Sequence, residues 1–151
     1  MNIDDVRAEL QRAYDGDAWH GAPLRTLLAG LSQAQVTSRP IAGVHTIAEL
    51  VAHLTTWTDI VRRRVMGEEV EAATEQDWPA TEGVAWADLL EGLDRAHHGL
   101  LQTLDQCQPD VLEAQTPGRD YTNQVMLVGL VQHHAYHGGQ IGLLRKLVAL
   151  V

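Results

Sequence analysis

The amino-acid sequence predicts an all-α fold, with three or four long helices and several short ones forming an antiparallel bundle. Three observations carry this. Apolar residues recur at helical spacing in long stretches, from Val6, Leu10 and Tyr14 near the start to a run from Met126 to Val148 at the end. No segment alternates at period two for long enough to make a strand. The breaks between stretches carry Gly, Pro and Asp, and they leave connections that suit a bundle. A chain of 151 residues, 45% of them hydrophobic, is ample for one core, so residues 1–151 are expected to form a single domain.

The elements follow in order. A first amphipathic helix runs from about Ile3 to Tyr14 and is broken by Asp15-Gly16-Asp17. Trp19-His20-Gly21-Ala22-Pro23 is a loop whose proline is placed to begin a helix, with Leu24, Leu27, Leu28 and Leu31 on its apolar face. Ser32 to Gly43 reads as loop or a single turn. Thr46-Ile47-Ala48-Glu49 is a capping box opening a long helix to about Met66-Gly67, with Leu50, Val51, Leu54, Trp57, Ile60, Val61 and Val65 as its buried stripe. The acidic segment from Glu68 to Gly83, interrupted by Pro79, is a connection with Trp78 as its anchor. Periodicity returns from Trp86 to Cys107 through Leu89, Leu90, Leu93, Leu100, Leu101 and Leu104. His97 and His98 are expected on that helix's polar side or at a partner contact. Gln108 to Asp120 is a loop, and Thr122 caps a last helix running nearly to Val151.

Composition excludes several functions. A formal net charge of -9 argues against a nucleic-acid partner held through phosphates. The basic run Arg62-Arg63-Arg64 is followed closely by Glu68, Glu69 and Glu71 and reads as a solvated helix end. Cys107 is the single cysteine, so neither an internal disulfide nor a cysteine-rich zinc site can form. Its place near the end of an apolar helical stretch suggests a buried, inert thiol. With no basic leader followed by an apolar run, a reducing cytoplasm is the expected setting. Tyr121 to Leu144 contains no Asp, Glu, Lys or Arg. Lipid would penalise Gln132, His133, His134, His137 and Gln140 within it, so it is expected to be the buried central helix of a bundle, with no membrane partner.

That helix carries the chemistry. His133 and His137 lie one turn apart on one face, and two imidazoles so placed can turn toward one divalent ion. Spacing alone equally allows two histidines satisfied by hydrogen bonds in a helix interface. His53 lies on the second long helix among core-facing residues, sharing a face with Trp57 and Glu49. Glu49 could fix the tautomer of a ligand imidazole or simply close its capping box, and the box is the preferred reading. Tyr136 and Gln140 could line a metal's open side or bond backbone where the helix packs at Gly138-Gly139. His20 and His45 occupy loops that could close the mouth of a pocket. His134 points about 100° away from His133 and is not expected on the same ion.

The order of motifs resembles the DinB/YfiT-like superfamily of four-helix metalloproteins. It runs from Trp19-His20-Gly21-Ala22-Pro23 through Gly43-Val44-His45-Thr46-Ile47 to Gln132-His133-His134-Ala135-Tyr136-His137-Gly138-Gly139-Gln140-Ile141. The resemblance covers essentially the whole chain, and the last motif is its specific part. It implies a four-helix bundle, a homodimer, and one divalent metal held by His53, His133 and His137. Imidazole suits Zn, Ni, Fe or Cu, so the ligands do not name the metal; one ion per chain is expected, Zn or Ni first, with Fe or Mn also open. Three imidazoles leave a coordination position free, as working sites do.

Three functions follow from this. The first is a metal-dependent enzyme activating a low-molecular-weight thiol for S-transfer to an electrophile, as some relatives do. The second is hydrolysis by metal-activated water. The third is a non-catalytic metal-binding or dimerisation module. The last helix offers no carboxylate base beside its histidines, which favours thiol activation over hydrolysis.

Overall fold

The structure is a computed structural model that describes residues 1–149, apart from the side chains at 74 and 75. It is helical, as expected. The helices are α1 (Ile3–Asp15), α2 (Leu24–Leu28), α3 (Gln33–Thr37), α4 (Ile47–Val65), α5 (Thr74–Asp77), α6 (Trp86–Gln106) and α7 (Asn123–Val148), with a 3-10 turn at Pro109–Leu112. Local chemistry sets the boundaries. Asn2 and Asp5 close a capping box on α1, Ser32 and Gln35 on α3, and Thr46 and Glu49 on α4, while Thr122 caps α7. The segment expected as loop or one turn after Gly30 is that turn, α3. The acidic connection holds the single turn α5.

Contacts give the helix directions. Arg7 pairs with Asp105 at 2.9 Å, while Tyr14 bonds Asp94, so α1 and α6 run antiparallel. His53 meets His137 and Trp57 meets His133, so α4 and α7 are antiparallel. Between α4 and α6 the numbers rise together. A Cβ at Gly92 would lie 3.8 Å from Thr55, and one at Gly99 would lie 3.4 Å from Arg62. These two helices are parallel, so residues 66–85 must carry the chain back along the bundle before α6 begins. That return brings α5 and Trp78 across the α4–α7 seam.

Two apolar clusters fill the interior. One gathers Leu24, Leu28, Val36, Leu50, Leu54, Leu93, Ile141 and Leu144, and the other gathers Leu10, Val61, Leu100, Leu104, Leu127 and Leu130. Burial of these side chains is the main favourable term, at about 1.5–3 kcal/mol each. Polar residues cross the bundle between the clusters. His53, His133 and His137 stand at the α4–α7 seam. Behind them His134 meets Thr58 Oγ1 at 3.2 Å, and on α6 His97 stacks on Tyr14.

Two expectations are corrected here. His97 is not on a polar face: it is 1% exposed, held by the Tyr14 ring and by a bond of 3.4 Å to Gln11. Only His98 is exposed. The basic run is solvated at Arg62 and Arg63 but not at Arg64, which is 3% exposed. Its guanidinium donates to the Val70 carbonyl at 2.8 and 3.1 Å and lies over the Trp57 ring. The return segment folds over α4 at that point, so the third arginine becomes its fastening.

Candidate metal centre

Three imidazoles converge at the α4–α7 seam. His53 Nε2 lies 3.0 Å from His133 Nε2, and His137 Nε2 lies 2.9 Å from the same atom. The outer nitrogens decide what these inner ones can do. His53 Nδ1 is 2.7 Å from the Asp77 carbonyl and 3.2 Å from Asp77 Oδ1, both acceptors, so Nδ1 carries the proton. His137 Nδ1 is 2.6 Å from Gln140 Oε1 and is a donor for the same reason. In their neutral forms, both rings therefore aim a bare Nε2 lone pair inward. His133 has at most one Nε2 proton, which cannot serve two lone pairs at once. An electron-pair acceptor satisfies all three, and a divalent cation is the fitting one.

Electrostatics keeps His133 and His137 neutral and ready to ligate. His133 is lowered to about 4, first by burial and then by His137 and His53. Burial also lowers His137, against the opposing bond to Gln140. Among the described residues, these three histidines could hold a metal, their ligand atoms lying within 4.8 Å of one another.

The return segment completes the surroundings. Asp77 Oδ1 accepts from Trp57 Nε1 at 2.6 Å as well as facing His53, tying the indole and the imidazole to one carboxylate. Trp78 lies flat between two rings, 3.9 Å from His53 and 3.5 Å from His45. Neither Asp77 nor its role was legible beforehand. Trp78 in an acidic connection was the available signal, but nothing in the local pattern says that the residue before it turns back onto a helix twenty-four positions earlier.

Two clefts open on either side of the histidines. One, of about 490 Å³, is lined by His53 and His133 with Trp57, Asp77, Tyr121, Val125, Met126, Gly129 and Leu130. The other, of about 410 Å³, is lined by His53 and His137 with Gly43, Val44, His45, Leu50, Trp78, Tyr136 and Gln140.

A family model for the DinB superfamily matches residues 17–141. The chain belongs to the DinB superfamily. Searches of curated proteins and of solved structures returned no match. The matched span of this DinB-superfamily chain includes all three converging histidines as well as Asp77 and Trp78.

The remaining candidates divide. Trp57, Tyr136 and Gln140 line the clefts. Glu49 does not: it closes its capping box and meets Arg39 at 2.6 Å and His45 at 3.1 Å, so the orienting role considered for it on His53 belongs to Asp77. Of the two loop histidines, His45 borders a cleft. His20 lies instead in a separate groove beside Leu27 and Gly139. His134 faces Thr58, away from the three. Cys107 is half-buried, its thiol donating to the Thr103 carbonyl and pushed up by burial, far from a reactive thiolate.

Proposed function

We propose that this protein is a metal-dependent enzyme that activates a small thiol for S-transfer to an electrophile, with His53, His133 and His137 as ligands to one divalent ion. The observation that carries the reading is the inward convergence of lone pairs between two open clefts whose walls offer no hydroxymethyl, thiol or amine nucleophile. Among the described residues, neither cleft is lined by Ser, Cys or Lys. A divalent cation supplies Lewis acidity, lowering a thiol from its usual pKa of about 8.5 so that the thiolate prevails at pH 7. Asp77 and Gln140 hold the ligand rings in the required tautomers, Trp57 is tied to the Asp77 carboxylate, and Trp78 stacks on His53. In the transfer, the thiol proton passes to solvent. The sulfur forms a bond to carbon as carbon's bond to its leaving group breaks, and that electron pair departs with the leaving group.

Hydrolysis is the second reading, and Asp77 is the observation in its favour. The return segment supplies the carboxylate that α7 lacks, and it borders a cleft. Its Oδ1 faces Trp57 and His53, an orienting position, which keeps hydrolysis second. The open clefts weigh against a purely non-catalytic module. Zn and Ni are the leading metals, Fe and Mn the others. We read residues 1–151 as one domain and its setting as cytoplasmic. We also read the protein as a homodimer, since α7 exposes Val125, Tyr136 and Leu143 at 56%, 65% and 58% along one stripe. Among the described residues no helix is long and apolar enough to cross a membrane.

The test is cobalt substitution. Adding glutathione, cysteine, bacillithiol or mycothiol should produce sulfur-to-cobalt charge-transfer bands, unchanged by Cys107→Ser. Turnover of a carboxylate or phosphate ester with no thiol-induced band would put hydrolysis in its place.

A further inference from the structure

We infer that the groove between α2 and α7 binds a small organic carboxylate with an apolar body, its charge held by Arg145 and Lys146. The groove is independent of the S-transfer reading, because it lies apart from the histidines. Its volume is about 640 Å³, larger than either cleft beside them. Gly138 and Gly142 form the floor, Leu27 and Leu143 the sides, and Arg145 and Lys146 stand toward the C-terminal end of α7. At helical spacing Gly142 and Lys146 fall on the side of α7 opposite His133 and His137. Leu143 belongs to the exposed stripe of α7 and is only the outer rim, since Gly142 lies about 100° around the helix from it.

Charge selects the occupant. The chain has 11 Lys and Arg against 20 Asp and Glu, so carboxylates compete for scarce cations. Nine arginines pair with one. Arg145 and Lys146 have no carboxylate partner among the described residues, and both line this groove, which no Asp or Glu lines. Their place in the last turn of α7 suits the helix dipole, but Arg62, Arg63 and Arg64 hold the same place on α4 and are all paired.

Arg145 is also fixed in position. Its Nη1 donates to the Leu27 carbonyl at 2.9 Å and to the Ala29 carbonyl at 2.6 Å. Both Nη1 protons are thereby used, which leaves the Nε and Nη2 protons, the parallel pair that takes a carboxylate side-on. A guanidinium already held at its other edge loses little freedom on binding. Leu27 supplies the apolar wall as well as the anchor: a Cβ at Gly138 or at Gly142 would lie 3.5 Å from one of its methyl groups. A mostly apolar groove with a few fixed polar groups at one end suits a ligand of that shape.

The test is calorimetry on the full chain with octanoate, octanol and acetate as probes. Octanoate should bind about tenfold more tightly than octanol, which lacks the charge, and than acetate, which lacks the body. A Cβ at Gly139 meets nothing within 4 Å, so Gly139→Leu fills the groove from a helix position that prefers leucine, and should weaken octanoate about tenfold. Arg145→Lys keeps the charge but removes the fork, and should weaken octanoate about fivefold while leaving octanol within about twofold. Lys146→Gln should weaken octanoate severalfold. Near-UV circular dichroism like that of the unaltered protein shows that Gly139→Leu and Lys146→Gln act on the groove and not on the fold. Octanoate and octanol binding alike, or octanoate indifferent to Gly139→Leu, would overturn the inference. So would a groove that takes no octanoate while Gly139→Leu changes the sedimenting mass, the result expected if a second copy of the chain covers it.

Discussion

At the scale of single residues, the outer nitrogens of the imidazoles decide the behaviour of the inner ones. Alanine at His53, His133 or His137 should abolish stoichiometric metal in protein purified without a histidine tag, whereas His97→Ala and His98→Ala should retain it. Full retention in His133→Ala and His137→Ala would remove the ligand assignment. Asp77→Ala should bind the ion about tenfold more weakly without losing the site, because it frees Trp57 and removes the carboxylate from His53, whose Nδ1 keeps its bond to the backbone carbonyl of residue 77. The histidines behind the site answer to acid instead. Burial lowers His97 to about 4 and His134 to about 3, against an ordinary value of about 6.5. Between those values the unfolded chain binds protons that the folded chain refuses. Stability is therefore complete above pH 6.5 and falls as pH drops toward the folded-state values, by about 1.4 kcal/mol per unit for each group. Urea midpoints at pH 7.5, 6 and 5 should fall in that order, and His97→Phe, which can keep a ring against Tyr14, should flatten the slope by about one proton.

At the scale of elements, α4 and α7 must keep their register for His53 to meet His137. The register rests on caps and on core packing. Thr46→Ala removes the acceptor for the Glu49 N–H and should cost about 1 kcal/mol. Leu127→Ala empties a fully buried position in the cluster shared with Val61 and Leu130, and should cost about 2–5 kcal/mol. Urea denaturation with unchanged m-values checks both. Equal costs for the two would mean that the Leu127 site collapses around its cavity.

At the scale of the whole molecule, the uncharged exposed stripe of α7 bears on assembly. Sedimentation at micromolar concentration should give twice the 16.6 kDa chain mass. Tyr136→Glu with Leu143→Glu should return the single mass, because two desolvated carboxylates cannot be held in an apolar interface. A single mass for the unaltered protein would end the dimer reading.

Much of this was written locally. Helical periodicity marked α1, α4, α6 and α7, Thr46 and Glu49 announced the start of α4, and the one-turn spacing of His133 and His137 put both on one face. These features depend on residues within a turn or two of one another, so the sequence by itself determined them. What it could not determine is which distant groups arrive at that face. His97 and Arg64 were misread because their burial comes from Tyr14 and from the Val70 carbonyl, partners supplied by other elements. Asp77 reaches His53 only because α4 and α6 run parallel, which forces residues 66–85 back across the α4–α7 seam. The two clefts likewise exist only after that segment and the loop before α4 have settled on either side of the histidines. Periodicity records which side of a helix avoids water, but the identity of the neighbour is fixed by how the helices pack, and that was decided by the tertiary structure alone.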